Sequence, residues 1–394
     1  MRHYLFNLVL LPRYSYNYLN TMLFNKMNAL SKLLLLFLSL VLFTNCASLP
    51  PSKEPSIKLR FLDEYIIPEE ATLDDTKIGG LSGIAKKGND YFMVCDDPNH
   101  PRIYKAKLHT SKRKLDSLIF KEVILLDKSD PSLPNTHLDL EDFIITPKEN
   151  HFILVSEGAI TKAKDPAILQ YDQKGELVKK YEIPFQFKAN SASKPRNNGV
   201  FEGITMSTDQ KGFWIANELP LEADGPKPKL YGTKSPVRFT YYNFENTKPQ
   251  QQFPYPLGRI RKIPFLPFYL NGLTDILALD KDRFLVLERA FSAGRGSKSH
   301  NVHIYEYVVY ESLNTLDEKS VRGLPKPKTE KNLVLDLEDI RGYLTNKTID
   351  NLEGFCYGPT LENGNKTLLL ISDNNFSSFM PQLNQLLWFE IIHN

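Results

Sequence analysis

The chain has 394 residues, of which 42% are hydrophobic, 11% aromatic and 24% charged, with 24 Phe and 19 Tyr. This composition excludes a disordered chain and supplies apolar mass for a large core, rich in rings that suit pleated surfaces. The formal net charge of +3 comes from residues 1–45, which hold Arg2, Arg13, Lys26 and Lys32 and no acid; the other 45 basic and 46 acidic residues are interspersed and give no electrostatic footprint for nucleic acid.

Residues 1–45 read as a signal peptide. Lys26 and Lys32 precede residues 33–43, an apolar run broken only by Ser39. As a helix that run reaches about 16 Å, far short of the roughly 30 Å hydrocarbon core, so cleavage is expected rather than a membrane span. Met27 offers an alternative start. Phe43-Thr44-Asn45-Cys46 resembles a bacterial lipobox with Cys46 as the acylated residue, although Asn45 stands where a small residue is usual. The expected location is therefore the bacterial cell envelope, with a lipid anchor at Cys46 as the membrane attachment and the outer membrane as its host; secretion after plain cleavage is the alternative. Residues 46–56, rich in Pro and Ser, read as a tether, and residues 57–394 as one folded, monomeric body.

In the body one phrase recurs five times: apolar, then Ser, Thr or Glu, then Gly or Asp, then apolar. The copies are Leu81-Ser82-Gly83-Ile84, Leu140-Glu141-Asp142-Phe143, Phe201-Glu202-Gly203-Ile204, Leu273-Thr274-Asp275-Ile276 and Leu352-Glu353-Gly354-Phe355. Each opens a strand. A second, strongly apolar strand follows and ends in an acid: residues 91–96, 152–157, 213–218, 284–288 and 368–373. A third, alternating strand is expected at 102–108, 168–172, 238–244, 302–307 and 385–392, and a fourth at 118–126, 179–185 and 332–337. Four-stranded antiparallel units repeating every 59 to 79 residues describe an all-β propeller of five blades. A sixth blade within 222–270 or 308–345 is the alternative. The last unit has only three strands, so residues 57–67 are expected to close the ring by completing it. Cys95 and Cys356 fall inside strand-like runs and read as two buried thiols, with one disulfide as the other option.

In an antiparallel hairpin the start of the first strand lies beside the end of the second. Asp96, Glu141, Glu157, Glu202, Glu218, Glu288, Glu353 and Asp373 should therefore converge on one mouth of the axial channel. Crowded carboxylates raise each other's pKa or recruit a cation, and an all-oxygen set favours Ca²⁺ or Mg²⁺ over zinc. Ca²⁺ is the expected ion, with Glu141, Glu202, Glu218, Glu353 and Asp373 as its ligands. The competing interpretation is that these acids cap turns and pair with neighbouring Lys or Arg. The loop 291–299, next to Arg289, carries Arg295 and Lys298 and suits an anion. It lacks the spacing of a phosphate-binding P-loop, and no Gly-x-Ser-x-Gly elbow is present. His300 and His303, three apart on a strand, face opposite ways and make a poor zinc pair. Trp214 and Trp388 read as core.

Asn198-Gly199-Val200-Phe201-Glu202-Gly203-Ile204 with Ala216-Asn217-Glu218, Leu285-Val286-Leu287-Glu288-Arg289-Ala290-Phe291, and Asp350-Asn351-Leu352-Glu353-Gly354-Phe355 with Ile371-Ser372-Asp373-Asn374-Asn375-Phe376 resemble the phytase-like domain family, also described as the esterase-like activity of phytase. The resemblance spans residues 78–392. It implies a secreted or lipid-anchored bacterial propeller that hydrolyses esters or phosphoesters, with metal and phosphate at the channel mouth. Ser82 and Thr274 stand where the other three blades carry Glu, and the lysine cluster of a true phytase is not matched. Two functions follow. One is metal-assisted hydrolysis of a small phosphate or carboxylic ester, in which Glu202 is catalytic and Arg289 and Arg295 neutralise the oxyanion. The other is a non-enzymatic propeller that binds a glycan, peptide or envelope protein.

Overall fold

Runs rich in Val, Ile, Leu and aromatic residues, punctuated by Gly, Asn and Asp turns, fold as strands in the computed structural model, which describes residues 54–131, 133, 137–377 and 382–394. The leader, Cys46 and most of the tether lie outside the described residues. Strand β1 (Ile57–Ile67) is followed by a small hairpin of β2 (Thr72–Leu73) and β3 (Thr76–Lys77). The first blade then takes β4 (Leu81–Lys87), β5 (Asp90–Cys95), β6 (Arg102–Ser111) and β7 (Lys114–Leu125). The second takes β8 (Leu140–Ile145), β9 (Phe152–Ser156), β10 (Ala167–Tyr171) and β11 (Leu177–Lys180). The third takes β12 (Phe201–Met206), β13 (Gly212–Asn217), β14 (Pro236–Asn243) and β15 (Pro249–Pro256). The fourth takes β16 (Tyr269–Asp280), β17 (Arg283–Ser292), β18 (His300–Glu311) and β19 (Lys328–Asp336). The fifth has β20 (Asn351–Tyr357), β21 (Thr367–Asp373) and β22 (Asn384–His393), and β1 pairs antiparallel with β22 to complete it.

All pairings are antiparallel, meanders except for β1 with β22, and each first strand packs on the next: β4 on β8, β8 on β12, β12 on β16, β16 on β20, and β20 back on β4. The molecule is a five-bladed propeller, closed as the sequence pattern requires. The two stretches with room for a sixth blade are otherwise used. Residues 249–256 form β15, the outer strand of blade three, while 312–327 make a long connection and Leu337–Tyr343 a 3₁₀ segment.

Five apolar clusters hold the ring together, each between two neighbouring blades. Between blades three and four the packing is aromatic: Phe284 meets Trp214 at 5.6 Å and Phe239 at 5.4 Å between ring centroids, both edge-on. Burying such a side chain contributes about 1.5–3 kcal/mol, so blade-to-blade contact rather than any single sheet carries stability. Trp214 and Trp388 are core, and Cys95 and Cys356 are buried free thiols.

Candidate functional site

The same irregularity occurs at the start of all five first strands. The pairing register slips between Leu81 and Gly83, Leu140 and Asp142, Phe201 and Gly203, Leu273 and Asp275, and Leu352 and Gly354. The skipped residue is each time the second of the repeated phrase: Ser82, Glu141, Glu202, Thr274, Glu353. A β-bulge leaves one residue outside the ladder and re-aims its side chain. Here it takes five residues out of their own ladders. Ser82 donates to the Leu140 carbonyl of the next blade at 2.9 Å, and Thr274 lies 3.5 Å from the Leu352 carbonyl. The three glutamates gather at the strand starts, Glu141 and Glu202 beside Glu157 and Glu353 beside Asn351 and Arg289.

The residue that follows the partner of the first phrase position supplies the partner set. Leu81, Leu140 and Phe201 pair with Cys95, Ser156 and Asn217, so Asp96, Glu157 and Glu218 come next. Leu352 pairs with Ser372, so Asp373 follows. In the fourth blade Leu273 pairs with Glu288, and the equivalent position is therefore Arg289, not Glu288. This corrects the expectation that Glu288 joins the mouth. Counting to the nearest acid placed it one residue out of register, and one residue in a strand reverses the face. Glu288 is buried on the other side, where it accepts from Tyr255 at 2.8 Å, Asn271 at 2.9 Å and Gly258 N at 3.0 Å and pairs with Lys331.

One oxygen each from Glu157, Glu202 and Glu218 lies within 4.8 Å of the others, as does one each from Asp139, Glu141 and Glu157. Glu353 and Asp373 join through Asn351, whose Nδ2 donates to Glu353 at 2.8 Å and to Asp373 at 3.4 Å. Arg289 donates to Asn351 Oδ1 and pairs with Glu353 at 3.2 Å. Glu157 accepts from Val200 N at 2.7 Å and Asp373 from Asn375 N at 2.7 Å. Among the described residues no donor reaches Glu202 or Glu218, although these side chains belong to residues only 7% and 3% exposed.

Burial and mutual repulsion raise these carboxyls far above the ordinary range. Burial drives Glu141, Glu157 and Glu202 well up, reinforced by neighbouring glutamates. Glu218 is pushed by burial to about 7, with Arg289 and Lys227 opposing, and Glu353 also to about 7, with Arg289 opposing. Asp96 rises to about 6 through burial and Asp139. Burial would lower Arg289, but Glu353, Glu218 and Glu202 hold it protonated. The acidic clusters can bind a metal ion: they offer several hard oxygens whose charge Arg289 offsets only in part.

The third phrase position builds the wall beneath this ring. At Gly83, Gly203 and Gly354 an added Cβ would come within 2.8 Å of the next blade's backbone. In the other two blades the place belongs to Asp142, which accepts from Ile204 N at 2.9 Å, and Asp275, which accepts from Phe355 N at 2.7 Å. Burial raises both carboxyls, and for Asp275 the charge of Asp142 adds to it.

The structure therefore brings together Glu141, Glu202, Glu218, Glu353, Asp373 and Arg289. It does not bring Arg295 to them. That side chain stacks on Phe265 at 4.6 Å and donates to the Ile263 carbonyl at 2.8 Å. Sequence reasoning missed Asp139 and Asn351, which precede the second and fifth phrases by one residue each, and Lys227 on the β13–β14 connection. Only Asp139 and Asn351 carried a signal, their fixed offset from the repeat.

Five blades with a carboxylate-lined axial mouth define a propeller of the kind that can hold a cation on its axis. The chain belongs to the phytase-like family, described as "Esterase-like activity of phytase", whose model matches residues 76–376. A relative from Arthroderma benhamiae, named "Uncharacterized secreted protein", is 27% identical over 131 residues, 32% of this chain and 25% of its own length. The chain thus spans about a quarter of the curated relative it matches. Among solved structures, the PQQ-bound aldose sugar dehydrogenase of Streptomyces coelicolor is similar at 10% identity over 86% of this chain and 100% of its own, with a TM-score of 0.37. A putative exported protein of Bacteroides fragilis is similar at 10% identity over 88% and 98%, with a TM-score of 0.32. Scores this low carry no argument, and the fold rests on the sheet topology.

Proposed function

We propose that the protein is a metal-assisted hydrolase of phosphate or carboxylic esters acting at the axial mouth. The observation that carries this is the fivefold bulge, which aims Glu141, Glu202 and Glu353 at one place and leaves Glu202 and Glu218 without a donor among the described residues. A scaffold that repeats a bulge to gather like charges in a buried space stores repulsion that only a proton or a cation relieves.

The donor set fits a hard cation. Glu157, Glu202 and Glu218 would hold it on one side, with Asp139 and Glu141 adjacent, and Glu353 and Asp373 completing the ring. Ca²⁺ is the proposed ion because carboxylates on separate blades suit its variable geometry. When bound, such a cation polarises an ester oxygen and acidifies a water molecule. Arg289, held between Asn351 and Glu353, presents positive charge on the blade-four side and orients an anionic substrate oxygen. Glu202 would accept a proton from the attacking water as its oxygen bonds to the ester centre, and return it to the alkoxide oxygen that leaves when the ester bond breaks. Lys227 adds a second cation near Glu218.

A second reading, a propeller that binds a glycan, peptide or envelope protein, is favoured by one feature: the Arg289 guanidinium is already paired. Assays of the purified protein with p-nitrophenyl phosphate, p-nitrophenyl acetate and phytate, each with and without Ca²⁺, separate the two. Turnover that needs both Ca²⁺ and Glu202 supports the hydrolase; no turnover on any of them removes it. We place the protein outside the cytoplasm or in the envelope, in line with the leader-like residues 1–45 and the secreted relative. Acylation of Cys46 and the outer membrane belong to the same proposal, and mass spectrometry of the mature N-terminus tests them.

A further inference from the structure

A cavity of about 760 Å³ lies on the flank of blade three and shares no lining residue with the axial ring. It exists because the β18–β19 connection, residues 312–327, lies across the outer strand β15 as a strap. Thr315 N donates to the Gln252 carbonyl at 2.9 Å, Ser193 Oγ to the Lys319 carbonyl at 2.8 Å and Ser320 Oγ to the Ala223 carbonyl at 2.7 Å. Beneath it sits an ion pair with no exposed side-chain surface, in which Arg238 Nε and Nη2 donate to the two oxygens of Asp224 at 2.8 Å each. Arg238 Nη1 also donates to the Glu318 carbonyl at 2.9 Å, and Asp224 accepts from Val321 N at 2.9 Å. A buried bidentate pair that bonds the strap's own backbone fixes the strap, so the cavity is preformed.

Its wall and its rim differ in chemistry. Pro226, Pro236, Pro254, Pro256, Pro325 and Pro327 line it, and proline rings offer hydrocarbon without N–H donors. Lys234, Arg322 and Lys326 also line it, are exposed, and form no ion pair among the described residues. The one acid in the lining is Asp224, whose charge Arg238 neutralises. The volume falls within the roughly 300–1,000 Å³ typical of small-ligand sites.

We propose that this cavity binds a small amphiphilic anion: an apolar body against the proline wall, with one terminal anionic group held by Lys234, Arg322 and Lys326. The site is independent of the axial ring and of any hydrolysis there. Decanoate, 1-decanol and acetate probe it on the purified protein by calorimetry. Decanoate binds, and the alcohol and acetate each bind at least about tenfold more weakly, because each lacks one of the two recognised features. A combined Lys234→Glu, Arg322→Glu and Lys326→Glu variant, altered only at exposed positions, keeps its unfolding temperature and loses decanoate affinity by about tenfold or more. Decanoate also slows tryptic cleavage after Arg322 in the wild-type protein. Equal binding of decanoate and decanol, undiminished binding by the charge-reversed variant, or no binding with unchanged cleavage each overturns the proposal.

Discussion

Arg289 of blade four pairs with Glu353 of blade five at 3.2 Å, from the ring position that Asp96, Glu157, Glu218 and Asp373 occupy in the other blades. One cation among four equivalent acids offsets part of their repulsion. Replacing it by Met leaves Glu353, Glu218 and Glu202 without their nearest positive charge. We expect Arg289→Met to lower stability at pH 8 by about 3–5 kcal/mol, the usual cost of orphaning a buried charge, and by much less at pH 5, where the carboxyls are protonated. Denaturant unfolding at both pH values checks this.

The ring also sets the pH dependence of the metal-free protein. Glu218 and Glu353 are raised from 4.5 to about 7, so between those values the folded chain holds protons that the unfolded chain has lost. Stability then falls as pH rises through this window. The unfolding temperature measured in chelator should drop from pH 5 to pH 8, and millimolar Ca²⁺ should restore it at pH 8 but hardly raise it at pH 5, where protons compete. A chelated protein equally stable at both pH values would count against uncompensated charge in the ring.

Glu202 and Glu288 make a controlled contrast. Glu202→Gln removes a ring carboxylate and should abolish most of the Ca²⁺-dependent thermal shift, and lower any Ca²⁺-dependent turnover by about 100-fold or more. Glu288→Gln breaks the pair with Lys331 and should cost about 3–5 kcal/mol of stability while leaving the Ca²⁺ response intact. Thermal shift with and without Ca²⁺ reads both; matching losses of the Ca²⁺ response would refute the register assignment.

Gly203 tests the wall. An added Cβ would stand 2.8 Å from the Asp275 Cα, which is backbone and cannot swing aside. Gly203→Ala should cost about 1–3 kcal/mol from overpacking, while Gly364→Ala in an exposed turn, with nothing near its Cβ, should cost less despite its positive φ of 83°. Calorimetric melting of the two variants compares them.

Much of the architecture was legible along the chain, because strand periodicity and a repeated phrase are local properties. The five copies from Leu81 to Phe355 mark the five first strands, and the missing fourth strand of the last unit correctly requires Ile57–Ile67 to close the ring. Glu141, Glu202 and Glu353 were legible for the same reason. What spacing could not supply was register. Whether Glu288 or Arg289 faces the axis depends on which residue lies opposite Leu273, and that is fixed by the bulge and by packing against β18, not by the distance to the nearest acid. The strap of residues 312–327 was equally silent, since its bonds to Gln252, Ala223 and Asp224 join residues far apart in sequence. Sequence alone determined the five repeated hairpins and the strand that closes the ring, since each is specified by its own side chains, whereas the outer strand Pro249–Pro256 and the count of five rather than six blades came from the fold; only the tertiary structure decided which face each charged residue meets, since that is settled by neighbours on other blades.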